Sequence, residues 1–459
     1  MEIPNDILIL KDLVVKLLAR IDVLEAENAE LRFRLNQNSN NSHKPPSSDG
    51  LQKKPGLPPS KAKKTGGQFG HKGRTLKMVE TPDQIVVHHI ESCPCCQKVF
   101  SSLDVEQIQQ KRQVFDIPEP KLEVTEHQIG IITCCGQQLK GTFPQAVAQP
   151  VQYGSKIKAL SVLLNVDYKI PFEKIEQLLG DIYNCSFNES TAISSNITCY
   201  NALESAEITI KNTILKSQVA HFDETGMRVE AKLHWFHTAS TSLFTYLFVH
   251  SKRGKEALNS SDSLLPNFKN WAVHDCWKSY FEFQNCSHAL CNAHILRELQ
   301  ALRENGSLWA AEMRELLLNL YNLSQKATLI VPDKKLWIEK YQLVCQKADE
   351  QEPKPIQSKR GRAKNSKGRN LLNRLVEHLN GVLAFAFNEA VPFTNNQAER
   401  DIRCLKTKQK VATSFRTFEG AKHFARIQSF ASTLRKHNMS VFQNLINTFD
   451  KKQVVFIQA

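Results

Sequence analysis

The sequence predicts a multidomain chain built around an α/β core. Three observations carry this: a leucine heptad over the first 35 residues, three apolar β-rich segments in close succession from Ser217, and a strand-to-helix segment followed by long amphipathic helices. At 459 residues there is room for two to four domains of ~100–200 residues each. With 41% hydrophobic and 23% charged residues, most of the chain folds around real cores. Net charge is +14 and the pI is near 9.1, which favours a polyanionic partner, nucleic acid first and an anionic membrane second. No run approaches the ~18 apolar residues of a membrane span. "ILILKDLVVKLLARI" is broken by Lys11, Asp12, Lys16 and Arg20 and preceded by Glu2 and Asp6, so it is not a signal peptide either. The twelve cysteines lack the density of a secreted disulfide scaffold and point to a reducing cytoplasm.

Residues 1–37 read as a coiled-coil dimerisation segment. Leu10, Leu17, Leu24 and Leu31 fall at d, and Ile7, Val14, Ile21, Asn28 and Leu35 at a. β-Branched a positions with leucine at d favour a parallel dimer, and one a-position Asn fixes its register. The other reading is one amphipathic helix packed on its own domain. Residues 38–75 read as a basic flexible linker. From Leu51 to Gly73 there are six lysines and no acid. Lys61, Lys63, Lys64, His71 and Lys72 are the residues expected to order on a phosphate backbone, a solvated linker being the alternative.

Residues 76–150 read as a small zinc-ribbon-like, DNA-binding segment. "QIVVHHI", "QVFDIP" and "KLEVTEHQIGIITC" are expected strands between two cysteine clusters. Cys93 and Cys96 have the C-x-x-C spacing of a tetrahedral zinc site. Cys135 is the third candidate ligand, and Cys134, His127 or Cys95 the fourth. A knuckle that keeps its fold without metal is the competing reading. Residues 151–215 are expected to be helical and helix-turn-helix-like: a helix, Pro171, a second helix ending near Gly180, then Asn188 or Ser190 as an N-cap.

"QVAHFDETGMRVE", "KLHWFHTAS" and "LFTYLFVH" then read as an antiparallel meander. A helix-like "GKEALNSSDSLL" and the strand of "NWAVHDCWKSYF" follow. Three strands, a helix, a fourth strand and further helices are the order of an RNase H-like core. Its first part spans residues 216–294 and its second 370–430. Between them, residues 295–369 form a helical insertion ending in a basic segment, with eight cations and no acid from Lys354 to Arg374. Residues 431–459 are a C-terminal helical tail.

The chemistry is carried by carboxylates. Asp223 sits on the first strand and Asp275 at the end of the fourth, neighbours in such a sheet. Glu399, in "TNNQAERDIR", would come from a later helix. Three converging carboxylates repel one another unless divalent cations neutralise them. Two Mg²⁺ or Mn²⁺ ions about 4 Å apart are what in-line phosphodiester chemistry uses. Glu224, one residue on, is expected to point to the opposite face. His221 and His274 read as core histidines. His294 and Arg297, three apart on one helical face, are candidates to approach the scissile phosphate. Asn395 and Asn396 are expected to cap the helix of Glu399. Arg400, Arg403 and Lys406 share a face suited to phosphate contacts.

A resemblance covers nearly the whole length. It rests on "NSHKPPSSD", "GGQFGHKG", "CPCC", "HFDETGMRV", "VHDCWKSY", "CNAHILREL" and "PFTNNQAERDIRCLKTKQKVATSFRTFEGAKHFARIQS". By these stretches the chain resembles the insertion-sequence-66 family of DDE transposases. The resemblance implies a bacterial insertion-sequence transposase that binds terminal inverted repeats and target DNA and catalyses metal-dependent cleavage and strand transfer. It implies Asp223, Asp275 and Glu399 as catalytic triad and metal ligands, an N-terminal zipper, a zinc-binding segment, and accessory proteins from the same element. Such a protein works in the cytoplasm at the nucleoid, as a homodimer or higher oligomer. Where the family usually has a second C-x-x-C, this chain has "ITCCG". Two other functions fit part of the pattern. An RNase H-like nuclease without strand transfer shares the triad, and a non-catalytic DNA-binding regulator leaves the triad unused.

Overall fold

The computed structural model describes residues 7–38, 41–42, 76–325, 334–354 and 365–456. The chain divides into two units, Leu51–Val124 and Met1–Gly50 with Thr125–Ala459.

In the smaller unit the described backbone is held by local bonds. Ser92 and Val99 form an isolated antiparallel bridge across a turn in which the Gln97 N–H donates to Cys93 O and the Cys93 N–H to Lys98 O, both at 2.9 Å. The strands expected at "QIVVHHI" and "QVFDIP" do not form. Most of their β-branched residues are exposed, Val86 and Val114 among them, without a ladder partner.

In the larger unit, α1 (Ile7–Leu35) is one continuous helix with its heptad leucines largely exposed. Its C-terminal end touches the body: the Lys367 ammonium lies 3.9 Å from the Phe33 ring centroid, and Asn41 Nδ2 donates to Glu304 at 2.7 Å. Of "KLEVTEHQIGIITC" only the end is a strand. There β1 (Ile131–Cys134) pairs with β2 (Gln137–Lys140) around Cys135 and Gly136, both at positive φ. Four helices follow: α2 (Ser155–Val162), which runs into a π-helical turn at Leu163–Asp167, α3 (Phe172–Tyr183), α4 (Glu189–Ala202) and α5 (Glu204–Lys216). Helix α3 passes Gly180 and stops at Asn184, whose φ of 48° turns the chain. The Asn188 side chain caps α4 by accepting the Thr191 N–H.

The main sheet comes next: β3 (Val219–Val229), β4 (Lys232–Ser240), β5 (Thr245–His250), the short α6 (Lys255–Leu258), β6 (Trp271–His274) and β7 (Ser287–Leu290). Its order is β5-β4-β3-β6-β7. Strand β3 is antiparallel to β4 and parallel to β6, and β6 is parallel to β7. Helices α7 (Asn292–Glu304), α8 (Leu308–Ser324), α9 (Lys334–Gln351), α10 (Lys367–Glu377) and α11 (Leu379–Phe387) build one core with β6 and β7, around Trp309, Leu317 and Tyr341. A Cβ on Gly381 would stand 3.0 Å from His288 O, so glycine is what lets α11 lie directly on β7. Helix α12 (Asn396–Ala412), the two-residue β8 (Ser414–Phe415) beside β3, α13 (Phe418–Lys436) and α14 (Val441–Phe449) close the fold. Helices α13 and α14 share a second core with α2, α4, α5 and the β3–β5 meander.

One buried ion pair fixes α12 to α13. Lys436 Nζ lies 2.6 Å from Asp401, which also accepts from Thr245 and Gln397, both at 3.1 Å. Asp401→Ala leaves the Lys436 ammonium with only the Thr241 and Phe244 carbonyls and no counter-charge, and should cost about 3 kcal/mol. Asp401→Leu with Lys436→Met should recover most of that loss. Urea unfolding of the three proteins checks both expectations.

Candidate active site

The sheet register sets the site. Strands β3 and β6 pair as Val219↔Trp271, Ala220↔Ala272 and His221↔Val273. Carried two residues further, the same parallel register brings Asp223 level with Asp275. Each aspartate commits one oxygen to the backbone. Asp223 Oδ1 accepts the Glu224 N–H at 2.9 Å, and Asp275 Oδ1 accepts the Trp277 N–H at 3.0 Å. Among the described residues no hydrogen bond engages the second oxygen of either.

Glu399 sits in the first turn of α12, where the helix dipole favours a carboxylate. Its Oε1 is buried and has no hydrogen-bond donor among the described residues. His294 Nδ1, on α7, lies 3.8 Å away, beyond hydrogen-bond length. Cys291 Sγ completes a group in which cysteine, histidine and glutamate ligand atoms all lie within 4.8 Å of one another. Burial pushes the Cys291 thiol up to about 11, so it is protonated at neutral pH, and its sulfur accepts the Asn395 N–H at 3.1 Å.

Asn395 is the N-cap of α12 by position, but its side chain makes no capping bond. Nδ2 instead donates to Phe222 O at 2.7 Å, next to Asp223, and Oδ1 lies 2.9 Å from His221 Nδ1. Because Nδ2 donates, Oδ1 is the acceptor and His221 carries its proton on Nδ1. Burial lowers the His221 pKa below its ordinary value. The Asn395 carbonyl accepts the Glu399 N–H at 3.3 Å. Asn395 therefore links the β3 backbone beside Asp223 to the helical turn that carries Glu399.

Burial, the charge on Glu224, and then the charges on Asp275 and Glu399 raise the Asp223 pKa well above the ordinary carboxylate range, against the Glu224 N–H. Glu224 is itself only 2% exposed. It accepts two bonds from Arg253, at 2.7 and 3.0 Å, and one from the Tyr280 hydroxyl. The Arg253 guanidinium is sandwiched between Trp277 and Trp235, 4.4 and 4.9 Å from the ring centroids. Glu224 is thus spoken for by a fixed cation. Burial lowers the His274 pKa to about 3; the ring is fully buried, with Nε2 2.9 Å from His288 Nδ1.

Arg400, Arg403 and Lys406 lie exposed along α12. Lys406 Nζ is 3.5 Å from Gly226 O and feels the charge of Asp223. Arg297 is half-buried on α7, one turn beyond His294. Lys61, Lys63, Lys64, His71 and Lys72 lie outside the described residues. Cys93 sits in the Ser92–Val99 turn, where the backbone N–H groups of Cys96 and Cys95 pull its thiol below the ordinary value. In the other unit, Cys134 ends β1 and Cys135 opens the β1–β2 turn, with sulfurs 3.7 Å apart, and His127 is exposed. Sequence reasoning passed over Cys291, although "CNAH" sets it three residues before His294 on the same helical turn.

Residues 150–423, more than half of the chain, match the family described as Transposase IS66 family. The chain belongs to the IS66 transposase family. The matched stretch of this IS66-family transposase contains Asp223, Asp275 and Glu399 together with Asn395. Residues 3–77 match a second family, described as being of unknown function. No curated protein matches the chain at a significant level.

The crowding in this IS66-family transposase has a pH signature. Between the ordinary aspartate pKa and the raised one, the folded chain holds a proton at Asp223 that the unfolded chain has lost. Stability therefore falls as pH rises through that window. In metal-free buffer Asp223→Asn should be more stable than the wild type at neutral pH, with the gap closing below about pH 4. Thermal unfolding across pH in the presence of a chelator checks this. Parallel profiles would mean that Asp223 feels no such crowding.

Proposed function

We propose that the chain is a metal-dependent DNA transposase that cuts at the ends of its element and joins them to target DNA, using Asp223, Asp275 and Glu399. The observation that carries this reading is the register that levels Asp223 with Asp275, together with the arrival of Glu399 on a later helix tied to the same strand through Asn395. The strand order, with the first strand antiparallel to the second and parallel to the fourth, supports an RNase H-like core. Helices α7–α10 interrupt it between Asp275 and Glu399.

The donor set fits hard divalent cations. It has three carboxylates, with one unengaged oxygen on each aspartate and a buried, donorless oxygen on Glu399. Bound Mg²⁺ or Mn²⁺ would neutralise the cluster, activate the attacking water or 3′-hydroxyl, and steady the leaving oxygen. The chain's own residues do the rest. The Glu224 and Trp277 N–H groups aim the two aspartates, and Asn395 aims Glu399. Arg253 neutralises Glu224 and keeps that carboxylate out of the ligand set. Arg400, Arg403 and Lys406 hold the phosphates of the cut strand.

Helix α1 pairs with that of a second copy through its heptad, which would hold two transposon ends together. Cys93 and Cys96, with N–H groups converging on the Cys93 sulfur, suit one half of a zinc site. The basic arm around Lys61–Lys72 and Arg297 adds DNA contacts. The site of work is the cytoplasmic nucleoid. Among the described residues, no helix is long and apolar enough to cross a membrane.

Oligonucleotides carrying the element's ends, with Mg²⁺ or Mn²⁺ and the element's accessory proteins, test the reading. Wild type should cut and join. Glu399→Gln should bind the ends equally and cut about 1,000-fold more slowly, the loss of several kcal/mol of charge stabilisation. Equal cutting by both proteins would remove Glu399 from the site. Cutting with no joined product would favour a nuclease over a transposase.

A further inference from the structure

Between α12, α13 and the turn after α2 lies a group of cations with too few anions to match them. Lys169, at φ 66° just after the π-helical turn, is only 5% exposed. Its ammonium donates to two neutral acceptors, Asp167 O at 2.8 Å and Gln428 Oε1 at 2.6 Å. Lys408, on α12, is 7% exposed and makes no hydrogen bond or ion pair among the described residues. Both ammonium groups face the ring of Phe424 on α13, at 5.6 and 6.0 Å from its centroid.

The one carboxylate that acts on Lys169 is Asp167, and the Arg435 guanidinium already holds it. Cys404 stands nearby, but burial pushes its thiol up to about 11, so it brings no negative charge at neutral pH. Lys169, Lys408 and Arg435 therefore stand against Asp167 alone, three cations to one anion. A largely buried ammonium without a counter-anion is costly, and the face of one phenylalanine, with two neutral acceptors for Lys169, returns only part of that cost. A methionine of similar length would fill the space of Lys408 without the penalty. Burial, then the charge of Lys169, lowers the Lys408 pKa to about 8, as expected for an amine short of a counter-charge. The cluster reaches solvent through Arg435 and Tyr168, 52% and 58% exposed.

We propose that Lys169 and Lys408 form an anion site that takes a phosphate group, and that the phosphate belongs to the DNA backbone. Two cations against a phosphodiester or a dianionic phosphate restore the missing charge. None of these residues belongs to the carboxylate site or to the exposed Arg400–Arg403–Lys406 row. The assignment to DNA rests on the transposase reading, whereas the assignment to phosphate does not.

Two measurements on the full chain separate these parts. In the first, thermal unfolding without DNA compares inorganic phosphate with chloride at matched ionic strength. Phosphate should raise the wild-type Tm by a few degrees, about what RT ln(1 + [L]/Kd) allows well above Kd. Lys408→Met should abolish the rise, and so should Lys169→Met, which covers the case that one variant folds poorly. In the second, end-DNA binding is measured across salt concentrations. Lys408→Met should flatten the slope of log K against log[salt] by about 0.9, one phosphate contact, while Lys408→Arg keeps it. A phosphate effect with an unchanged DNA slope would reassign the site to free phosphate and overturn its assignment to DNA. No phosphate effect and no slope change would make Lys408 a packed amine and overturn the proposal entirely. Because phosphate stabilisation is read without DNA or cleavage, a chain that cannot cut DNA gives a different result from a chain without this site.

Discussion

One buried amide holds the candidate site in register. Asn395 is only 2% exposed and spends its donor and its acceptor on β3, at Phe222 O and His221, while its backbone joins Cys291 to Glu399. The strand that carries Asp223, the helix start that follows β7 and the helix that carries Glu399 are thereby coupled through a single residue. Aspartate at 395 could not donate to Phe222 O, and alanine would leave that carbonyl and His221 unsatisfied in a buried place. Elements far apart in sequence, around residues 223, 291 and 399, are all bonded to this one residue.

The electrostatics follow from that geometry. Asp223 is crowded by three carboxylates, and the fold offers only partial relief. Arg253, wedged between two indoles, answers Glu224 and not the aspartates. Lys406 lies within electrostatic reach of Asp223 but stays on the exposed side of α12. Neither cation pairs directly with Asp223 among the described residues. On another part of α12 the imbalance has the opposite sign, with Lys408 and Lys169 sharing one aromatic face. Helix α12 thus carries the Glu399 carboxylate in its first turn and the mostly buried Lys408 ammonium nearer its end.

Much of the sheet was legible from sequence because its strands are apolar and β-rich over whole segments: "HFDETGMRV", "LHWFHTAS" and "YLFVH" became β3, β4 and β5. The convergence of Asp223 and Asp275 could be suggested from strand order, but their register could not. It depends on pairings such as His221↔Val273 that no local pattern encodes. The segment around "QIVVHHI" misled for the opposite reason, since β propensity without a partner strand or a buried face does not make a strand. Asn395 was legible as a helix start but not as a tether, because its side-chain partners lie more than 170 positions away. Cys291 was hidden because a buried, protonated thiol carries no sequence mark apart from its spacing to His294. The six lysines of Leu51–Gly73 stay at the level of sequence, since Lys61, Lys63, Lys64 and Lys72 lie outside the described residues.

The central claim is that Asp223, Asp275 and Glu399 together hold divalent cations. Anomalous scattering from a crystal of the full chain soaked in Mn²⁺ tests it most directly. The expected result is anomalous density ligated by Asp223 and Asp275, with Glu399 completing the set. Density absent from the aspartates, or confined to Cys291, His294 and Glu399, would contradict it.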